Sequence, residues 1–239
     1  MILQLWHSHM KVAHPAGLRP RKTPRQARSE ATVDAIFEAT IQVLLTAGAR
    51  RLTTTRVAER AGVSAGTLYQ YFPHKQALLY AVLQQHLETV VQAVEAVCRK
   101  CQGQPIARMA DGLVTAYVDA KTTRADASRA LYLVAAELDT ADLLDSISKR
   151  IHGATAALLA SAEDATFDDL PAVTFTLLAA MAGTVRTVFE RSATPHMLLV
   201  LRTQLATLCQ AYLQAVAAKQ AAPPVRRASS GRKVLLPTT

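Results

Sequence analysis

The chain has 239 residues, half of them hydrophobic but only 5% aromatic; this alanine- and leucine-rich composition favours helices and can bury a substantial core. No apolar run is read as reaching the roughly 18 to 20 residues that span a bilayer, and MILQLWHSHMKVAH is too short in apolar residues for a secretory signal, so a cytoplasmic protein with no membrane partner is expected. The net charge of +9 is unevenly placed: +7 over residues 1–75, −3 over 76–218 and +5 over 219–239, a basic head and tail that suit a polyanionic partner.

Residues 1–28 hold prolines and a basic cluster, Arg19, Arg21, Lys22, Arg25 and Arg28. They are expected to be a disordered basic arm, either following phosphates or without a role. Ser29 can cap helix 1, whose stripe Val33, Ile36, Phe37, Ile41 and Leu44 runs to Gly48. Thr53 or Thr54 caps helix 2 and Gly62 ends it in the left-handed conformation that glycine tolerates. Ser64 starts helix 3 and Pro73 closes it. Helix 4 spans Lys75 to about Lys100, with His74 able to cap it. After the Gln102–Pro105 break, helices are expected at Ile106–Lys121, Asp126–Leu138 and Ala141–Ser161. An acidic loop, Glu163 to Pro171, precedes helix 8, which runs to about Arg191. Pro195 opens helix 9, which runs to about Lys219. Residues 221–239 lack periodicity and are read as a disordered basic tail. The expected fold is all-α, with about nine helices, no convincing strand and no internal repeat.

The stretch Thr53 to Phe72, TTTRVAERAGVSAGTLYQYF, carries the most information. A small residue at Ala58, Gly62 at the corner, Val63 as a plug and Leu68 pointing inward form a helix-turn-helix pattern. At 3.6 residues per turn, Leu68, Tyr71 and Phe72 share an oily side of helix 3. Ala65, Gly66, Tyr69 and Gln70 share the opposite, small and polar side. Gln70 can offer a donor and an acceptor to an adenine edge, and Tyr69 can donate to a phosphate. Thr53, Thr54, Thr55 and Arg56 surround a helix N-terminus, where amides, hydroxyls and a cation can hold a phosphate. Ser64 and Thr67 complete the DNA-facing set.

The run AERAGVSAGTLYQYFPHKQALL, above all GTLYQYF followed by Pro73 and Lys75, resembles the TetR family of bacterial transcription regulators. The resemblance covers about a third of the chain and reaches back through Ser29–Ala47. It implies a DNA-binding head at residues 29–74, a helical ligand-binding and dimerisation domain at 75–220, and a phosphate contact from Lys75. It also implies double-stranded operator DNA as partner, a homodimer through the last two long helices, and an enclosed small-molecule inducer. For the dimer interface the expected residues are Ala182, Gly183, Phe189, Leu201, Leu205 and Leu208, the small ones permitting close approach. For the pocket they are Met109, Leu113, Tyr117, Tyr132, His152, Phe175 and Met181. Low aromatic and charge content there favours an apolar or weakly polar ligand.

Other chemistry has little support. Cys98 and Cys101 lie one turn apart beside Arg99 and Lys100, but helical geometry strains a disulfide and a zinc site would need two more ligands. Cys209 stands alone, so inert thiols are expected, with no metal. His152 has no Asp or Cys partner at catalytic spacing, and there is no P-loop, GxSxG or HExxH. No catalytic residues and no cofactor are expected. The reading is a ligand-responsive transcription regulator, a repressor rather than an activator, with a ligand-independent architectural DNA-binding protein as the alternative.

Overall fold

The computed structural model describes residues 27–135, 137–191 and 194–219. The expected basic arm, before its last two residues, and the expected tail lie outside the described residues. Among the described residues there are nine α-helices: α1 Ala27–Ala47, α2 Thr54–Ala61, α3 Ala65–Tyr71, α4 Lys75–Lys100, α5 Ile106–Thr122, α6 Ala125–Ala135, α7 Ala141–Ala160, α8 Leu170–Arg191 and α9 Pro195–Val216. A 3-10 turn, Ala49–Arg51, precedes α2.

Local signals explain most of these limits. Gly48, Gly62 and Gly103 have φ of 76°, 67° and 70°, and Gly62 ends α2 with its N–H on the carbonyls of Ala58 and Glu59. Ser64, His74 and Thr194 cap α3, α4 and α9 through their side chains. Two acids of the expected acidic loop also cap helices: Asp164 accepts from the Ile106 amide at 2.9 Å, and Asp169 from the Ala172 amide at 3.0 Å. Anionic caps favour helix N-termini.

Three expectations are corrected. Ser29 lies inside the first turn of α1, which already runs at Ala27. Helix 9 stops at Val216, and Ala218–Lys219 pairs antiparallel with Ala165–Thr166, a two-residue ladder too short to leave a sequence signal. Finally, Leu170–Phe189 within α8 is apolar and long enough to cross a bilayer by length and composition alone, with a mean hydropathy of 1.5 and 33% of the window buried. It holds one charge, Arg186.

Two cores form. The head core joins α1, α2, α3 and the start of α4, including Ile36, Phe37, Leu68, Phe72 and Leu79, and it takes in Leu131 and Val134 of α6 and Leu143 of α7. The body core surrounds α5, with Leu113, Leu158, Met181, Val185, Phe189 and Leu205. Helix α4 belongs to both, Leu78–Leu83 to the first and Val94 and Cys98 to the second. Ion pairs set neighbouring helices. Arg150 of α7 donates to both oxygens of Glu95 at 2.9 Å and to Glu88 at 2.7 Å, both on α4. Arg202 of α9 bridges Asp119 of α5, and Gln210 donates to Asp111.

Candidate nucleic-acid interface and cavity

The short helix α3 divides as its periodicity demands. Leu68, Tyr71 and Phe72 are buried, whereas Ala65, Gly66, Tyr69 and Gln70 are exposed together. Phe37 of α1 meets Phe72 with ring centroids 5.6 Å apart, which seats the inner face of α3 against the first helix. Ser64 Oγ accepts from the Thr67 amide at 3.0 Å and sits 2.9 Å from the Thr67 hydroxyl, which forms the helix start and leaves one hydroxyl proton of the pair uncommitted. Thr53 caps α2 by accepting from the Arg56 amide at 3.2 Å. Thr55 and Arg56 are exposed beside it, and Arg56 Nη1 donates to the Arg51 carbonyl at 3.1 Å.

Two candidate side chains are more constrained than the sequence suggests. The Tyr69 hydroxyl lies 2.9 Å from Thr54 Oγ1, which ties α3 to α2. Lys75 Nζ donates to the Ala49 carbonyl at 2.6 Å; an ammonium has two further donors for a phosphate. Arg50 and Arg51, exposed in the turn just before α2, add positive charge at the same edge. Sequence reasoning missed them, although two adjacent arginines ahead of TTTR are a legible signal.

A cavity of about 290 Å³ opens in the body between α4, α5, α7 and α8. Val94 of α4 and Leu113 and Tyr117 of α5 line one side. Leu144, Ile147, Ser148, Ile151 and His152 of α7 line the second, and Phe175, Leu178, Ala179, Met181 and Ala182 of α8 the third. No charged side chain is among them. His152 and Phe175 face each other with ring centroids 6.1 Å apart. Phe175, 63% exposed, and Leu144, 44% exposed, stand at the mouth.

Five of the expected pocket residues therefore come together: Leu113, Tyr117, His152, Phe175 and Met181. Met109 does not; it is fully buried in the core around α5. The Tyr132 side chain lies outside the described residues. The interface set is also corrected. Phe189, Leu201 and Leu205 are 1%, 4% and 2% exposed, because they pack in the chain's own core. Gly183 and Leu208 are exposed, and so is Ala182, which also borders the cavity. The cysteines are free and buried. Burial pushes the Cys98 and Cys209 thiols up to about 11, outweighing the pull of the adjacent Arg99 on Cys98. Among the described residues, no group of three His, Cys, Asp or Glu could hold a metal.

Comparison with known proteins fits this geometry. The family model "Bacterial regulatory proteins, tetR family" matches residues 36–82, spanning the helix-turn-helix. The model "Tetracyclin repressor-like, C-terminal domain" matches residues 105–213, spanning the cavity-bearing body. The chain belongs to the TetR family. It is a transcription regulator whose N-terminal part is the DNA-binding domain of that family. Among curated proteins, it is 43% identical over 51 residues to the uncharacterized HTH-type transcriptional regulator YvkB of Bacillus subtilis, covering 21% of this chain and 27% of that protein. It is 40% identical over 53 residues to the nucleoid occlusion factor SlmA of Haemophilus ducreyi, covering 22% of this chain and 26% of that protein. These matches span only about a quarter of each relative. The crystal structure of a TetR transcription regulator from Haloarcula marismortui matches with a TM-score of 0.65 and 21% identity, over 79% of this chain and 100% of that one. That likeness is one of fold.

Proposed function

We propose that this TetR-family chain is a repressor that binds a palindromic operator as a homodimer and leaves it when a small neutral molecule occupies the body. The observation that carries the reading is the cavity of about 290 Å³, walled by apolar side chains with only Tyr117, Ser148 and His152 as polar groups. A site of that chemistry takes an apolar or weakly polar ligand and orients it through few hydrogen bonds. A ligand that prefers one arrangement of the heads shifts the population away from the DNA-binding one.

The outward faces of α8 and α9 support the dimer. Phe175, Leu199, Val200 and Leu208 are exposed, and Arg186 is the one charged residue among the exposed, described positions of these two helices. A solvated helix face carries more charge than this; a weakly charged face of such length, with alanine and threonine between its exposed leucines, suits a second copy. In the dimer, each α3 would present Gln70 to one half-site, with Thr53, Thr54, Thr55, Arg56, Tyr69 and Lys75 directed at phosphates and Ala65 and Gly66 allowing close approach.

Selecting operators from random DNA, then adding a panel of neutral aromatic and aliphatic compounds, tests the reading. Inverted half-sites and release by a compound whose effect is lost in Ala179→Trp, which fills the cavity, would support it. The similarity of the head to a nucleoid occlusion factor favours the architectural alternative as the second reading; sequence-independent binding, unmoved by any compound, would select that one.

A further inference from the structure

Arg124, in the turn between α5 and α6, reaches back to α1. Its Nη1 donates to Glu38 Oε2 at 2.5 Å and its Nη2 to Glu38 Oε1 at 3.2 Å. One turn along α1, Gln42 Nε2 donates to Glu38 Oε1 at 3.0 Å, and Gln42 Oε1 accepts from Arg60 Nε at 2.7 Å. Arg60 belongs to α2, the first helix of the helix-turn-helix. The amide of Gln42 has only one orientation that suits both neighbours, because a carboxylate only accepts and a guanidinium only donates. Four side chains thus run without a gap from the body, across α1, to the helix that bonds α3 through Thr54 and Tyr69.

Leu131, Val134 and Leu143 of the body helices add apolar contacts, packing in the head core. Apolar burial holds two surfaces together but prefers no direction. A two-bonded arginine–carboxylate pair does prefer one. We propose that Arg124, Glu38, Gln42 and Arg60 form a positioning chain that sets the angle of the head on the body, and so the separation of the two recognition helices in the dimer. This rests on the dimeric, operator-reading function above. The chain is suited to orientation rather than to stability. Arg124 and Glu38 are 42% and 45% exposed, so breaking the pair leaves the fold in place.

The test uses the full-length protein and operators it selects from random DNA. Duplexes carrying the two half-sites are then lengthened or shortened by about two base pairs at the centre. Wild type is expected to lose about tenfold or more in affinity on these, whereas Arg124→Met and Gln42→Leu lose less than about threefold. Gln42→Leu matters because it leaves the Arg124–Glu38 pair intact. Binding to a duplex with a single half-site should stay at the wild-type level in both variants, which a general loss of structure would not allow. If both variants discriminate spacing as sharply as wild type, the positioning chain is wrong. If only Arg124→Met broadens, the connection through Gln42 to α2 is wrong. Selection of isolated half-sites by wild type would instead overturn the dimeric reading, and the proposal with it.

Discussion

The Thr54 hydroxyl and the Tyr69 hydroxyl lie 2.9 Å apart, joining the two helices of the DNA-binding motif across 15 residues of sequence. One proton serves the bond, so the other hydroxyl hydrogen is free to point outward, toward a phosphate when DNA is present. The pair gives Tyr69 a structural role as well as a contact. Thr54→Val and Tyr69→Phe should each weaken binding to all DNA sequences by about 1 kcal/mol, and the double variant by little more than either alone. A double-mutant cycle measured by DNA titration checks this; strict additivity would mean that the two hydroxyls act independently.

Gln70 is exposed on the outer face of α3, the side turned away from the head core. Its amide is available to an adenine edge. Gln70→Ala should relax base preference at one position of each half-site, at a cost of about 1–3 kcal/mol there, without changing the salt dependence of binding. Sequencing of sites enriched from random DNA reads this directly, and an unchanged preference would remove Gln70 from the reading set.

Gly183 faces outward on α8, and a Cβ placed on it meets no atom of the chain within 4 Å. The fold therefore has room for a long side chain, while the proposed dimer face does not. Gly183→Arg would set two like charges against each other across a two-fold axis, at a cost of several kcal/mol. It should give folded monomers that no longer hold a full operator. Sedimentation together with circular dichroism decides the matter; a dimer persisting at micromolar concentration would move the interface elsewhere.

Gly112 of α5 presents the opposite case. A Cβ there would lie 3.0 Å from Val97 Cγ2 and 3.1 Å from Cys101 Sγ, both short side chains of the α4 end with little freedom to move away. Gly112→Ala should destabilise the protein by about 1–3 kcal/mol through overpacking, despite the better helix propensity of alanine. Gly153, exposed on α7, has open space within 4 Å of where a Cβ would stand, and should instead gain roughly 0.5–1 kcal/mol on replacement by alanine. Denaturant midpoints of the two variants should move in opposite directions.

His86 of α4 sits beside Ser128 of α6, Nε2 to Oγ at 3.2 Å, while Ser128 Oγ donates to the Lys121 carbonyl at 2.8 Å. With that hydroxyl proton committed, His86 Nε2 carries the proton that Ser128 accepts. Burial, helped by the nearby charges of Lys121 and Arg124, lowers the imidazole to about 4 from its usual 6.5. The unfolded chain then binds the proton first as pH falls, so stability is lost between about pH 6.5 and pH 4, by roughly 3 kcal/mol. His86→Gln, neutral throughout and still a donor, should flatten that part of the stability profile. Chemical denaturation of both proteins at about pH 7, 5.5 and 4.5 measures the difference.

Most of the helix limits and the exposed face of α3 were legible in the chain itself, because their determinants are local. Gly62 takes φ of 67° where α2 must end, Ser64 and His74 accept from the amides three residues on, and the outer and inner faces of α3 follow from 3.6 residues per turn. The C-terminal helices were different. In α8 and α9 leucine, alanine and threonine occur nearly all round the helix, so periodicity assigns no phase. Only packing decides that Phe189, Leu201 and Leu205 turn inward while Phe175 stands at a cavity mouth and Leu208 faces outward. The same holds for Arg124 and Glu38, 86 residues apart, and for the burial of His86 against Ser128. A helix and its caps depend on neighbours within a few residues along the chain; a salt bridge, a cavity wall or a shifted imidazole depends on atoms that only the folded arrangement brings within a few ångströms.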